Sequence, residues 1–274
     1  MDFKYFSKNG KLLPTSDAVI SISNVGYQYG FGVYETIRVT NSIPYFLKEH
    51  IERLEESARI IGLEHAFPDT LLYESVDEIV RTNKIDMANL KILLIGGRSV
   101  SDASLYIIPL NPLFPDKKLY TSGVKCITYA YQRPFPHAKT LNMLQSYLAY
   151  KKARAMDAYD ALLLDNEGNV TEGTRTNIFC LKGSTLISPP EEKILLGITR
   201  EAVIKTAKKT GFSIEERNVS LSSLSNYDAV FLTSTSSKIL PISEIDSKRM
   251  RLAETLSELM KAFDAFLKNC NGKM

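Results

Sequence analysis

A lysine and a glutamate in this sequence have neighbours that could give both side chains a chemical role. Lys139, in PHAKTLNMLQ, lies between the predicted end of a strand and an apolar helix. A lysine in a desolvated pocket loses proton affinity, and its neutral amine can condense with an aldehyde. Glu172, in VTEGTRTNIF, lies where a polar turn meets a strand pattern, and a buried carboxylate there needs a positive partner. Most lysines near helix starts are simply exposed, so Lys139 alone does not decide the matter.

Two further segments carry the features of an anion site. ILLGITREAVIKTAKKTG predicts a helix that begins at Gly197 to Thr199 and ends at Gly211. The amides of Ile198 and Thr199 would then point outward from a helix N-terminus, where anions bind. FLTSTSSKILP ends an apolar strand in small hydroxyl residues, which allow the backbone to turn its amides toward an anion. The alternatives are an ordinary N-cap threonine and a solvated turn.

A third candidate for an anion ligand is Arg53, which follows His50 at helical spacing in KEHIERLEES. Its planar guanidinium group could clamp a phosphate. The alternative is a surface ion pair with Glu49 or Glu56, which the local sequence alone favours.

The elements that must position these residues fall into two predicted α+β domains. The first, residues 1–112, contains the helical patterns YFLKEHIERLEESARIIGL and DTLLYESVDEIVRTN and the strand patterns LKILLIGG and SLYIIPL. Residues 113–118 form a linker rich in proline and charge. The second domain, 119–274, carries the lysine, with strand patterns GVKCITYAY, DALLLD, TNIFCL and DAVFLTST and helices near 143–158, 198–210 and 249–268.

Composition limits the possible classes of protein. The 274 residues are 44% hydrophobic and carry a net charge of +3 with scattered charges, which implies neither a nucleic-acid nor a membrane partner. The first residues, MDFKYFSKNG, form no apolar signal core, and no run is long enough to span a bilayer. Three widely spaced cysteines, Cys126, Cys180 and Cys270, lack metal-ligand spacing and predict reduced thiols in a cytoplasmic protein.

In order and approximate spacing, the motifs resemble those of class IV (fold type IV) pyridoxal-phosphate (PLP) enzymes. The matching segments are Lys139 with Asn142, DALLLDNEGNVTEGTRTNIF, ILLGITR, FLTSTSSKILPI and, upstream, YGFGVYETIRV and HIERLEESA. This family includes branched-chain aminotransferases, D-amino-acid aminotransferases and 4-amino-4-deoxychorismate lyases. The resemblance implies a two-domain α+β fold similar to that of D-amino-acid aminotransferases, PLP as cofactor and a homodimer.

The resemblance also implies a role for each candidate residue. Lys139 would form the Schiff base with PLP and later move the substrate proton, and Glu172 would keep the pyridine nitrogen protonated. The Glu172 charge would then gain its partner only with the cofactor. The phosphate ligands would be Arg53, Ile198, Thr199, Ser234 and Thr235. Replacing Arg53 with alanine would weaken PLP retention and leave the stability of the apoprotein nearly unchanged.

The subgroup is a choice between two reactions. Leu144 stands five residues after Lys139, where branched-chain members carry a tyrosine, and this resembles the D-amino-acid aminotransferase and lyase branches. Tyr34 matches a substrate-side tyrosine of D-amino-acid aminotransferases. Arg98 is the one cation in LLIGGRSVSDASLY and is a candidate ligand of the substrate carboxylate. We favour an aminotransferase acting on an amino acid and a 2-oxo acid. The alternatives are an aminodeoxychorismate lyase, which expels pyruvate, and a non-catalytic PLP-binding protein.

Overall fold

The computed structural model describes residues 3–112 and 114–270, without the side chain of Cys270. These residues divide into two compact units. The first falls within Met1–Leu113 and also contains His137–Asn142, and the second contains Phe114–Pro136 and Met143–Met274. Leu113, the first residue of the predicted linker, lies outside the described residues.

The short segment His137–Asn142 belongs to the first unit because its backbone extends the first unit's sheet. The Tyr34 amide donates to the Lys139 carbonyl at 2.9 Å, and the Leu141 amide donates to the Gly32 carbonyl at 2.8 Å. Thr140 pairs with Val33 as an isolated antiparallel bridge. Lys139 therefore packs with the N-terminal unit, whereas the sequence analysis assigned it to the C-terminal domain. Sequence position alone gave no sign of this strand-like pairing.

The first unit is a six-stranded sheet with two long helices packed on one face. The strand order is β2-β1-β6-β5-β3-β4. Alternate residues of the central strands face the helices and form one apolar core, as the period of two along a strand requires. The elements are β1 (Tyr5–Lys8), β2 (Lys11–Pro14), α1 (Val25–Tyr29), β3 (Gly32–Thr40), β4 (Ile43–Pro44), α2 (Leu47–Ile60), α3 (Asp69–Thr82), β5 (Met87–Ile95) and β6 (Ser104–Leu110).

The second unit is built on a larger sheet that closes on itself. Its strands run β12-β11-β10-β14-β15-β7-β8-β9-β13, with β16 beside β15, and β9 also pairs with β10. The elements are α4 (Leu119–Ser122), β7 (Val124–Ala130), α5 (Leu144–Ala155), β8 (Asp160–Leu164), β9 (Asn169–Gly173), β10 (Asn177–Lys182), β11 (Thr185–Ser188), α6 (Ile198–Lys209), β12 (Ser213–Glu216), β13 (Val219–Ser220), β14 (Ala229–Ser234), β15 (Lys238–Ile245), β16 (Lys248–Arg249) and α7 (Glu254–Cys270).

Six of these strands, β9, β10, β14, β15, β7 and β8, form a closed ring of pairings around an apolar core. Closure leaves these strands no open edge and fixes their register. The ring therefore holds the ends of β9, β10 and β14 in fixed positions relative to one another.

The predicted α+β class is confirmed, and most predicted elements occur within a few residues of their expected bounds. The last helix differs, because it begins at Glu254 rather than near residue 249. Arg249 pairs instead with Glu244 across a hairpin whose turn residues, Asp246 and Ser247, have positive φ. In the described chain, none of the helices has the length and apolar composition needed to cross a membrane. Cys126 and Cys180 are buried free thiols, and the Cys270 side chain lies outside the described residues.

Candidate functional site

In the first unit, the backbone of Lys139 is held on both sides. Its amide donates to Ser57 Oγ at 3.1 Å, and its carbonyl accepts from Tyr34. Lys139 Nζ lies 4.6 Å from the centre of the Tyr34 ring, within the distance range of contacts between lysine and aromatic rings. Two residues that the sequence linked only by family resemblance therefore lie side by side.

A second lysine, which the sequence analysis missed, also faces Tyr34. Lys91 lies on β5, and its Nζ is 5.2 Å from the centre of the Tyr34 ring. The signal in the sequence was a single charge within the apolar run LKILLIGG, because burying part of a charged side chain without a partner costs free energy. Arg98, the predicted substrate ligand, lies on an exposed segment beyond the end of β5.

Arg53 is part of a buried charged cluster rather than a surface pair. Its Nε lies 2.6 Å from Glu35 Oε1 and its Nη2 lies 2.8 Å from Glu35 Oε2. Glu35 is fully buried, and its Oε2 also lies 2.7 Å from His50 Nδ1. The sequence analysis considered Glu49 and Glu56 as partners and missed Glu35, because Glu35 comes from another element, strand β3.

The Glu35 cluster has a defined charge state. Burial by itself raises the pKa of Glu35, but the charge of Arg53 and the contact with His50 outweigh it and hold this pKa below its usual value. Burial lowers the pKa of His50, against the opposing effect of Glu35. The cluster therefore consists of an ionised Glu35, a charged Arg53 and a neutral His50 that donates from Nδ1.

In the second unit, Glu172 is 4% exposed at the end of β9 and already has two donors. Arg133 Nη1 lies 3.1 Å from its Oε1, and the Leu195 amide donates to its Oε2 at 3.3 Å. The expectation that Glu172 has no positive partner without a cofactor is therefore wrong. Arg133 was missed because 39 residues separate it from Glu172, and only the fold brings them together.

The N-terminus of α6 lies beside the same region of the sheet. Gly197 is its N-cap, and the helix begins at Ile198, as predicted. Ile198 and Thr199 are buried in the first turn, where backbone amides have no partner within the helix. Asn177 on β10 lies directly across from Glu172 on one side and from Thr233 on the other, so the three residues form one row across the sheet.

The hydroxyl residues after β14 differ in their contacts. Ser234 Oγ lies 2.6 Å from Ser237 Oγ and accepts from the Ser237 amide at 3.0 Å, so it closes a local turn. Thr235 is half-buried beside it. Thr233 Oγ1 is buried and has no hydrogen-bond partner among the described residues. An unpaired buried hydroxyl costs free energy, so Thr233 marks a place where a polar ligand would be favoured.

Residues 32–245 match the family Amino-transferase class IV. The chain belongs to this family. The match contains both Lys139 and Glu172, and it confirms the resemblance seen in the sequence.

Similar proteins come from two subgroups of class IV aminotransferases. A putative branched-chain-amino-acid aminotransferase of Methanocaldococcus jannaschii is 35% identical over 256 residues, covering 88% of this chain and 87% of that protein. A D-alanine aminotransferase of Bacillus licheniformis is 32% identical over 252 residues, covering 88% of each. A solved structure of a branched-chain amino acid aminotransferase from Escherichia coli has a TM-score of 0.87 at 26% identity, and the match covers 96% of this chain and 94% of that one.

A crystal structure of a further branched-chain amino acid aminotransferase contains pyridoxamine 5'-phosphate. Its TM-score is 0.90 at 26% identity, and the match covers 100% of this chain and 96% of that one. The similarity therefore extends over both units of the fold.

The ion pair of Arg53 corrects one expectation and generates a prediction. We expect Arg53→Ala to lower the free energy of unfolding of the apoprotein by about 3 kcal/mol, because truncation leaves the buried Glu35 carboxylate without its main counter-charge. Urea denaturation measures this change. Arg59→Ala is the control, since Arg59 lies on the same helix but pairs with Glu56 at the exposed surface. Equal, small losses in the two variants would contradict the role assigned to Glu35.

The neutral state of His50 predicts a dependence of stability on pH. Below about pH 6.5 the unfolded chain binds a proton at His50 that the folded chain does not. The free energy of unfolding therefore decreases as the pH is lowered through this range. His50→Asn keeps a donor toward Glu35 but does not titrate, so it should lose less stability than the parent between pH 7.5 and pH 5.5. Urea titrations at both pH values measure the difference, with the exposed His137→Asn as control. The same loss in all three proteins would show that His50 is not the group responsible.

Proposed function

We propose that the chain binds PLP and transfers an amino group between an amino acid and a 2-oxo acid. The single observation that carries this proposal is the class IV aminotransferase match over residues 32–245. A related structure of this fold contains pyridoxamine 5'-phosphate, which supports the cofactor. Relatives that act on branched-chain amino acids and on D-alanine both support transfer of an amino group.

The side chains present fit PLP. The cofactor offers an aldehyde, a basic ring nitrogen and a phosphate group, and the chain offers the amine of Lys139, the carboxyl group of Glu172 and a helix N-terminus. Thr233, whose buried Oγ1 lacks a hydrogen-bond partner among the described residues, immediately precedes Ser234 and Thr235 in the segment that the sequence assigns to the phosphate. When bound, PLP supplies an electron sink for the substrate α-carbon.

Each residue would then have a distinct task. Lys139 would hold the cofactor aldehyde and, once released, move the proton at the substrate α-carbon. Glu172 would hold the proton on the ring nitrogen, oriented by the Arg133 guanidinium and the Leu195 amide. The phosphate ligands would be Arg53, Ile198, Thr199, Ser234 and Thr235.

Arg53 would act with its partner Glu35. The bidentate contact with Glu35 uses two nitrogen atoms of the guanidinium group and fixes the plane of the fork. Glu35 would therefore orient Arg53 as well as balance its charge.

The substrate side would include Tyr34, beside Lys139, and a cation for the substrate carboxylate. Arg98 stays our proposal for that cation, and Lys91 is a second candidate because it lies against the Tyr34 ring. We also propose a two-fold homodimer in which Arg98 acts on the substrate of the neighbouring subunit. Size-exclusion chromatography with light scattering tests the dimer.

Lys139→Ala tests the cofactor and the reaction together. The parent protein should purify yellow, and borohydride should fix PLP to a peptide containing Lys139, as peptide mass spectrometry measures. Lys139→Ala should lose this adduct and turnover, because the amine is removed, whereas Lys152→Ala on the exposed face of α5 should keep both. An adduct that persists in Lys139→Ala would contradict the assignment.

A substrate panel distinguishes the reactions. D- and L-amino acids with 2-oxoglutarate should yield glutamate if the protein is an aminotransferase. Release of pyruvate from aminodeoxychorismate without a 2-oxo acid would identify the lyase instead. An adduct with neither product would support a non-catalytic PLP-binding protein.

Glu172→Gln tests the carboxylate. The amide keeps the size and hydrogen-bonding shape of the side chain but cannot hold the ring proton by charge, so turnover should fall by about a hundredfold or more. PLP should still bind, which absorbance titration measures. Glu167→Gln, in the exposed turn before β9, is the control. Turnover within a few fold of the parent, with PLP fully bound, would show that Glu172 does not act on the ring nitrogen.

A further inference from the structure

We infer that Asn177 is a positioning residue that sets the separation between the Glu172 carboxylate and the N-terminus of α6. This inference rests on the proposed function, in which those two places bind the ring nitrogen and the phosphate of one PLP molecule. A rigid cofactor engages both places at once only if their separation is correct.

Asn177 is joined to Glu172 through the backbone of Leu195. Asn177 Nδ2 donates to the Leu195 carbonyl at 2.8 Å, and the Leu195 amide donates to Glu172 Oε2 at 3.3 Å. Asn177 and Glu172 are also directly opposite each other on β10 and β9. Both polar groups of the Leu195 backbone are thus bound to this pair, two residues before the helix cap.

The other half of the Asn177 amide lies against the start of the helix. A Cβ at Gly197 would lie 2.0 Å from Asn177 Oδ1, so the helix can start this close to the sheet only with glycine at its cap. Asn177 is 6% exposed. One side chain therefore fixes Leu195 with its donor and limits the approach of Gly197 with its acceptor.

The turn between Glu172 and Asn177 is itself held by hydrogen bonds to Asp160. Asp160 is fully buried, and it accepts from Thr174 Oγ1 at 2.5 Å and from Thr176 Oγ1 at 2.9 Å. A Cβ at Gly173 would lie 2.7 Å from Asp160 Oδ2. These contacts hold the turn in place, and the Asn177 side chain connects it to Leu195 and to the helix cap at Gly197.

The test compares PLP with its two parts, because a residue that only stabilises the fold does not distinguish them. In the full-length apoprotein, Asn177→Ala should raise the Kd of PLP by about tenfold or more, since linked contacts lose their advantage when both cannot form together. The Kd of pyridoxal, which lacks the phosphate, and that of inorganic phosphate should change by less than about twofold. Absorbance titration measures pyridoxal and PLP, and thermal shift measures phosphate.

Two further variants keep the test decisive. Gly197→Ala disturbs the same contact from the helix side and should show the same pattern of Kd changes. It keeps the test possible if Asn177→Ala folds poorly. Asn218→Ala, an exposed asparagine of the same unit, should leave all three Kd values unchanged.

Four results would overturn the inference or its basis. PLP affinity within twofold of the parent in both test variants would show that Asn177 does not set the separation. Equal losses for PLP and phosphate would assign it to the phosphate alone, and equal losses for PLP and pyridoxal would assign it to the ring alone. Failure of the parent protein to form the borohydride adduct would instead contradict the proposed function itself.

Discussion

The structure depends on how it compensates buried carboxylates. A buried ionised carboxylate is tolerated only where charge and hydrogen bonds replace the lost water. Glu35 and Glu172 each meet this requirement with an arginine, Arg53 and Arg133, and with a further donor. Each arginine is distant in sequence from its carboxylate, so each pair forms only when the fold brings the two segments together.

The two pairs differ in whether polar groups near the carboxylate remain available to bind a ligand. Glu35 is fully enclosed, and both of its oxygen atoms are bound by Arg53, which suits a group that orients another. Glu172 lies at the end of β9 in a row with Asn177 and Thr233, and Thr233 carries an unpaired buried hydroxyl. The second arrangement is the one that suits ligand binding, since the Thr233 hydroxyl in this row lacks a hydrogen-bond partner within the described part of the protein.

Much of the fold was predictable because it depends on local patterns. The strand SLYIIPL and the helix beginning at Ile198 occur as expected, since an apolar run and a helical pattern are properties of neighbouring residues. The partners of Arg53 and Glu172 were not predictable, because they depend on which strand lies beside which helix. The packing of Lys139 with the first unit was not predictable for the same reason, because the pairing of Thr140 with Val33 links residues that are distant in sequence.

In the proposed function Glu172 would keep the cofactor ring protonated, and nuclear magnetic resonance with PLP labelled with ¹⁵N at the ring nitrogen tests this proposal most directly. In the loaded parent protein at neutral pH, the ¹⁵N shift should be that of a protonated pyridine. In Glu172→Gln it should move to the value of the neutral ring. A neutral ring in the parent protein, or a protonated ring in both proteins, would contradict the account.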